Sequence, residues 1–176
     1  EVIPLPPLLS TSLRLPGRKD RRIPNPFAWL LDPVLLLAAA HRLANFLRAQ
    51  PAGLVVTKGM QAHLCGGLAC RWSHTPCLWH LQDLVSSRYA GLYARFFGLA
   101  AGRLADFLVA DGSPILEQLP AALRSRGRVV LNGVDVSAFK PGLDGAGVRA
   151  GLGIDPGALV IGNAARLTHW KGQRCL

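Results

Sequence analysis

The sequence predicts an α/β fold in which a parallel sheet is covered by helices on both faces. Two observations indicate this fold. Short apolar runs rich in β-branched residues alternate along the chain with segments of helical periodicity. In addition, half of the 176 residues are hydrophobic, which is enough to build a sizeable core. Strands that are joined by helices run parallel, and a parallel sheet needs cover on both faces.

The elements follow from local patterns. Residues 1–32 are rich in proline and basic groups, and we expect irregular structure there. A helix is expected over residues 33–50, because Pro33 suits a first helical turn. Gly66 and Gly67 weaken the next helix, and Ser113 is expected to cap the helix that begins with Pro114. The expected strands are 53–58, 76–81, 106–110, 128–132 and 158–165; the other expected helices are 60–72, 87–105, 113–123 and 145–152.

Polar residues follow each expected strand. Ligands of parallel sheets bind beyond the carboxyl ends of the strands, so these residues are the candidates for a functional site. They are Lys58 with Gly59, His80 with Asp83, Asp111 with Ser113, Asn132 to Asp135, and Arg166 with Lys171.

The formal net charge of +10 restricts the partners. Such an excess suits phosphorylated ligands, an anionic membrane surface or nucleic acid. The basic cluster between Arg14 and Arg22 has two open interpretations, a solvated loop or a contact with acidic lipid headgroups. Most phenylalanines and tyrosines fall in expected helices, which does not favour a stacking platform for nucleic acid. We therefore expect no nucleic-acid partner.

The cysteine spacing and the apolar runs indicate whether the protein binds a metal and in which compartment it is found. Cys65, Cys70 and Cys77 lie near two histidines, but they lack the Cys-x-x-Cys spacing of zinc sites, so we expect buried thiols and no metal. The longest apolar run, residues 34–40, is too short to span a bilayer, and the first residues do not resemble a signal peptide. These features favour a cytoplasmic protein in a reduced compartment.

The end of the chain, ALVIGNAARLTHWKGQRCL, carries a candidate anion site. Arg166 offers a planar fork for phosphate oxygens, Lys171 a mobile charge, and Gly172 a close approach of the backbone. Thr168 can cap a helix that begins at residue 169 or 170, whose first N–H groups would face an anion. Together these features suit a diphosphate. An exposed arginine and lysine without a ligand is the alternative interpretation.

The segments NGVDVSAFKP and LVIGNAARLTHWKGQ resemble the retaining glycosyltransferases of family 4, which have the GT-B fold of two Rossmann-like domains. The resemblance covers residues 33–176. It implies an acceptor-side domain over residues 1–138, and a linker with the start and first strand of a nucleotide-sugar domain over 139–176. It also implies that Arg166, Lys171 and Gly172 grip the diphosphate, and that His80 contacts the transferred sugar as the catalytic histidine. For His80, the alternative is a histidine satisfied within the core.

The resemblance also assigns lesser roles. Lys58 and Asp83 become candidates for the acceptor pocket, while Asn132, Gly133 and Asp135 belong to the interdomain turn. The implied partners are a nucleoside-diphosphate sugar and a glycan or lipid-linked acceptor, with no cofactor and no metal. A helix rich in aromatic and basic residues, 88–103, either contacts an anionic membrane at its inner face or packs into the core.

Two departures from the family pattern stand out. The family's first strand and glycine-rich loop are missing, and its paired glutamates cannot be present, because the chain contains only Glu1 and Glu117. We therefore expect a fragment of a polysaccharide-building enzyme with little or no activity of its own. Two other classes remain open: a non-catalytic module that binds phosphorylated ligands, and a basic protein that binds nucleic acid.

Overall fold

The computed structural model describes residues 12–14, 22–24, 26–82, 92–167 and 171–175. The chain divides into two compact units, Glu1–Asn132 and Gly133–Leu176. The division expected after residue 138 concerned the domains of a complete enzyme, and it stays a prediction.

The first unit contains six strands and five helices among the described residues. In chain order they are β1 (Ser12–Arg14), β2 (Arg22–Pro24), α1 (Pro26–Ala49), β3 (Val55–Lys58), α2 (Met60–Ser73), β4 (Cys77–Leu81), α3 (Leu92–Leu104), β5 (Phe107–Ala110), α4 (Ser113–Glu117), α5 (Ala121–Arg124) and β6 (Gly127–Val129). The second unit contains α6 (Ala146–Gly151) and a 3₁₀ turn (Gln173–Cys175).

The main sheet has four parallel strands in the order β3-β4-β5-β6. One row across it consists of Thr57, Trp79, Leu108 and Gly127, which lie opposite one another in register. All four residues of this row are buried. The alternation of helix and parallel strand confirms the predicted Rossmann-like α/β fold class.

Two glycines allow α2 to lie close to the sheet and to α3. A Cβ at Gly66 would lie 2.5 Å from Cγ2 of Thr57, and a Cβ at Gly67 would lie 2.7 Å from Cβ of Leu104. The sequence-based prediction counted these glycines against the helix. The structure shows that they permit its packing, which offsets their low helix propensity.

The described contacts place helices on one face of the sheet. Gly66 of α2 approaches Thr57, and Leu116 of α4 approaches Gly127, in both cases on the side that carries Trp79. On the other side, Val56 is 53% exposed and Phe107 is 54% exposed. The helical layer expected on this second face therefore does not cover these two side chains.

The amino-terminal part differs from the prediction of irregular structure over residues 1–32. β1 and β2 form an antiparallel pair in which Leu13 lies opposite Ile23. Helix α1 begins at Pro26 and continues through Pro33. Pro26, rather than Pro33, therefore occupies the first helical turn, a position that suits proline.

Helix α1 contains a candidate membrane span. The stretch Leu30–Ala49 is long and apolar enough, at a mean hydropathy of 1.4 over its best window, to cross a bilayer by length and composition. The sequence-based prediction counted only the uninterrupted apolar run and missed it. On the inner side of this helix, Ala40, Ala44 and Leu47 are buried in the core.

Three further predictions were wrong. The helix expected over residues 113–123 is two short helices, because Pro120 has no N–H group and restricts the residue before it. Ser113 begins α4 but makes no capping hydrogen bond. Residues 158–165 form no strand; Leu159 and Ile161 are 89% and 73% exposed. A strand needs a neighbour for its backbone hydrogen bonds, and the described part of the second unit offers none.

Candidate active site

The candidate site lies at the carboxyl edge of the four-stranded sheet. Lys58 ends β3 and His80 lies directly opposite it on β4. Asp111 follows β5, and Asn132 lies beyond β6. Parallel strands bring these positions to one edge, as the sequence predicted.

His80 and Asp111 form the centre of this site. Nε2 of His80 is hydrogen-bonded to Oδ1 of Asp111. The His80 side chain is 18% exposed and the Asp111 side chain is 14% exposed, so the pair is largely shielded but can be reached from solvent. A histidine that is oriented by a carboxylate is an arrangement suited to hydrogen bonding or proton transfer with a bound ligand.

Two amides support the carboxylate of Asp111. Nε2 of Gln82 and Nδ2 of Asn132 donate to Oδ2, at 3.4 and 3.3 Å. The hydrogen bond from His80 lowers the pKa of Asp111, and it outweighs the opposing effect of burial; the Asn132 amide, the charge on His80 and the Gln82 amide lower the pKa further. The carboxylate is therefore charged at neutral pH.

The sequence-based site prediction included His80 but gave no role to Asp111. The sequence shows that Asp111 follows a strand, and the strand order decides whether it meets His80. Because β4 and β5 are neighbours, Asp111 lies beside His80. Asn132, which was predicted to shape the interdomain turn, also contacts this carboxylate.

Two other residues of the first unit, Lys58 and Asp83, were predicted to line an acceptor pocket. Lys58 is exposed on the edge strand β3. Asp83 lies outside the described residues. The roles of Lys58 and Asp83 in an acceptor pocket stay predictions.

Cys65, Cys70 and Cys77 are buried, Cys175 is exposed, and no group of three potential metal ligands occurs in the described part of the chain.

The turn residues of the second unit are held locally. Oδ1 of Asp135 accepts hydrogen bonds from the backbone N–H groups of Ser137 and Ala138, at 2.9 and 3.3 Å. The hydroxyl of Ser137 is the main cause, followed by these N–H groups, of the lowered pKa of Asp135. Asp135 thus shapes its own turn, which is the behaviour expected of a turn-forming residue. Gly133 is exposed at the start of this unit.

The predicted diphosphate site lies in the second unit. Arg166 and Lys171 are both exposed, and Gly172 has a positive φ of 72° that glycine adopts without strain. Nε2 of Gln173 donates to the carbonyl oxygen of Arg166 at 2.8 Å, which closes a loop between the two basic residues. Residues 168–170, where the capped helix was expected, lie outside the described residues. The anion-binding roles stay predictions.

A second histidine, His63, is buried within the first unit. Nδ1 of His63 is 2.7 Å from Oγ1 of Thr57, and the His63 ring stacks on Trp79 with ring centres 4.6 Å apart. Burial, with a smaller contribution from the charge on His80, lowers the pKa of His63 to about 4. His63 is therefore neutral at pH 7 and serves as a core residue.

The lowered pKa of His63 predicts a dependence of stability on pH. In the unfolded chain the imidazole titrates near its ordinary value of 6.5, whereas in the folded chain it titrates near 4. Below pH 6.5 the unfolded state therefore binds a proton that the folded state does not. We expect this group to lower the free energy of unfolding by up to about 3 kcal/mol between pH 6.5 and pH 4, with full stability above pH 6.5.

The measurement is urea denaturation at a series of pH values in the wild type and in His63→Gln. The variant removes the titrating group, so the difference between the two curves isolates its contribution from those of the carboxylates. Parallel curves for the two proteins between pH 6.5 and pH 4 would contradict the prediction.

No protein-family model matches the sequence, and no curated protein sequence shows a significant match to it. Solved structures do match. They show that the chain has a Rossmann-like α/β fold.

Crystal structures of HepE (Alr3699) from Anabaena are among the structures that match. The complex with UDP-glucose matches with a TM-score of 0.65 and 22% sequence identity, over 86% of this chain and 46% of the HepE chain. The complexes with UDP and with UDP and glucose each match with a TM-score of 0.55, at 20% and 19% identity, over 74% of this chain and 40% and 41% of HepE. This chain thus spans less than half the length of HepE.

Proposed function

We propose that this chain is part of a glycosyltransferase that transfers a sugar from a nucleoside-diphosphate sugar to a glycan or lipid-linked acceptor. The observation that carries the proposal is the fold, which is similar to that of a protein crystallised with UDP-glucose. The largely shielded His80–Asp111 pair at the carboxyl edge of the sheet supports it, because this edge is where parallel sheets bind ligands.

The proposed chemistry divides between the two units. Arg166 and Lys171 neutralise the negative charge that grows on the diphosphate as it departs, which favours the transition state over the bound donor. His80 forms a hydrogen bond to a hydroxyl of the transferred sugar. The resemblance of the motif around Arg166 to family 4 supports transfer with retention of the anomeric configuration. We propose a cytoplasmic location and a role in polysaccharide synthesis on the same ground.

The test uses a protein that contains this chain together with a complete donor domain. UDP-glucose serves as the probe, release of UDP is measured with and without candidate acceptors, and NMR of the product identifies the anomer. Transfer with retention supports the full proposal. Binding of UDP-glucose without transfer would support the non-catalytic module that binds phosphorylated ligands. If the protein binds neither UDP nor any other nucleoside diphosphate, both the glycosyltransferase and the non-catalytic module are contradicted. We expect this chain alone to show little or no transfer, since it lacks the paired glutamates.

We also propose a peripheral contact with an anionic membrane, centred on α1. Leu30, Val34 and Leu37 lie on one side of this helix at spacings of four and three residues, and they are 73%, 62% and 49% exposed. The basic cluster between Arg14 and Arg22 precedes the helix in sequence and complements acidic headgroups. The alternative surface on α3 is partly used by the core, because Phe97 is buried there; Arg88, Tyr89 and the side chain of Tyr93 lie outside the described residues.

Co-sedimentation with liposomes tests this contact. We expect the chain to bind vesicles that contain phosphatidylserine at low salt, and to bind less at high salt, because screening weakens the headgroup attraction. The double variant Leu30→Glu with Val34→Glu should lose binding, whereas the exposed-site variant Val148→Glu should keep it. Equal binding of wild type and double variant would exclude α1 as the membrane surface.

A further inference from the structure

The protonation of His80 at its two ring nitrogens is determined by what each nitrogen contacts. Nε2 contacts Oδ1 of Asp111, which is an ionised carboxylate and can only accept a hydrogen bond. Nε2 must therefore carry a proton. When the imidazole is neutral, Nδ1 then carries a lone pair and can only accept a hydrogen bond.

Asp111 is itself held from several sides. Its backbone N–H donates to the carbonyl oxygen of Leu81 at 3.1 Å, which anchors the residue to the end of β4. Its second carboxylate oxygen, Oδ2, receives the amides of Gln82 and Asn132. Oδ2 is thus occupied by donors from the segments that follow β4 and β6, and Oδ1 is the oxygen turned to His80.

We propose that Asp111 is a positioning residue that holds His80 with its proton on Nε2, so that Nδ1 is presented as the hydrogen-bond acceptor for a hydroxyl group of the bound sugar. The tautomer follows from the contact of Nε2 with the Asp111 carboxylate, and the contact with a sugar hydroxyl rests on the proposed function. The assignment also specifies the ligand of the neutral ring: it must offer a donor to Nδ1, which a hydroxyl does and a phosphate or carboxylate anion does not.

The arrangement of amides makes Asp111→Asn a directed test. Gln82 and Asn132 both donate to the Oδ2 position, so the oxygen of the introduced amide should take that position and its NH₂ group should face Nε2 of His80. Because an NH₂ group only donates, Nε2 must then become the acceptor and the proton must move to Nδ1. The substitution should therefore reverse the tautomer while it preserves the size of the side chain.

The experiment is ¹⁵N NMR of the imidazole nitrogens in the chain with labelled histidine, with His80→Gln to assign the signals. Spectra are taken at a pH where titration shows that the His80 ring is neutral. We expect a protonated Nε2 and an unprotonated Nδ1 in the wild type, and the reverse in Asp111→Asn. Asp106→Asn is the matched control, since Asp106 binds the backbone N–H of Cys77 near the start of β4, and an amide oxygen can replace it there. This control should keep the wild-type tautomer.

Two results would overturn the positioning role. One is a wild-type His80 with its proton on Nδ1, and this result requires no variant to fold. The other is an unchanged tautomer in a folded Asp111→Asn protein. In a protein with a complete donor domain, we further expect Asp111→Asn to lower kcat by about 100-fold with little change in KM for the donor. A reversed tautomer with unchanged kcat would keep the positioning role of Asp111 but refute the proposed contact of His80 with the sugar.

Discussion

The double substitution Arg166→Ala with Lys171→Ala should lower kcat/KM for the nucleotide sugar by about 1,000-fold or more in a protein that contains this chain and a complete donor domain. Each side chain is expected to stabilise the charge that develops on the departing diphosphate. Removal of one preorganised donor of this kind costs about 100- to 1,000-fold in enzymes that stabilise a developing anion. The effect should appear in kcat as well as in KM, because the charge is greatest in the transition state.

The chain offers a matched control for this prediction. Lys140 and Arg174 are also exposed residues of the second unit, so the double variant Lys140→Ala with Arg174→Ala removes the same two charges. We expect it to retain near-normal turnover. A further variant, Arg166→Lys, keeps the charge but loses the planar fork, and it should fall between the two. Ordinary turnover in the Arg166 and Lys171 double variant would refute the assignment of the diphosphate site.

The substitution Trp79→Ala should lower the free energy of unfolding by about 3–5 kcal/mol. Trp79 is fully buried in the middle of the sheet, where it stacks on His63 and lies 5.7 Å from Phe97 between ring centres. Truncation leaves a large cavity against α2 and α3, which α2 cannot readily fill because Gly67 already lies against Leu104. Urea denaturation of the chain measures the change.

Two variants test the cause of this loss. Nε1 of Trp79 has no hydrogen-bond partner among the described residues, so Trp79→Phe removes an unpaired donor while it keeps most of the packing. We expect it to cost less than half as much as Trp79→Ala. Phe96→Ala removes an aromatic ring that is 51% exposed and should cost less than about 1 kcal/mol. Equal losses in all three variants would show that burial of Trp79 does not dominate the stability of the first unit.

The predictions from sequence succeeded where a local pattern coincided with burial. The strands over Val55–Lys58, Cys77–Leu81 and Phe107–Ala110 lie within one or two residues of their predicted bounds. Their β-branched and apolar residues fit a buried parallel sheet, and no distant partner is needed to recognise them. His80 could be placed at a strand end for the same reason.

The predictions failed where a structure depends on a partner distant in sequence. The apolar residues 158–165 have the composition of a strand, but they lie in a unit whose described part provides no strand to pair with. β1 and β2 are three residues long each, and their pairing gives little signal in the sequence. Pro120 is visible in the sequence as a helix breaker, but the apolar periodicity around it favours one continuous helix.

The sequence by itself determined the α/β class, the order of strands and helices in the sheet region, and the positions at which polar residues follow strands, because these depend on periodicity and composition over a few residues. The tertiary structure alone decided that β4 and β5 are neighbours, that Asp111 meets His80, and that Gly66 and Gly67 serve the packing of α2. These hydrogen bonds and steric contacts join residues on different strands and helices, and local sequence does not encode the distances between those elements.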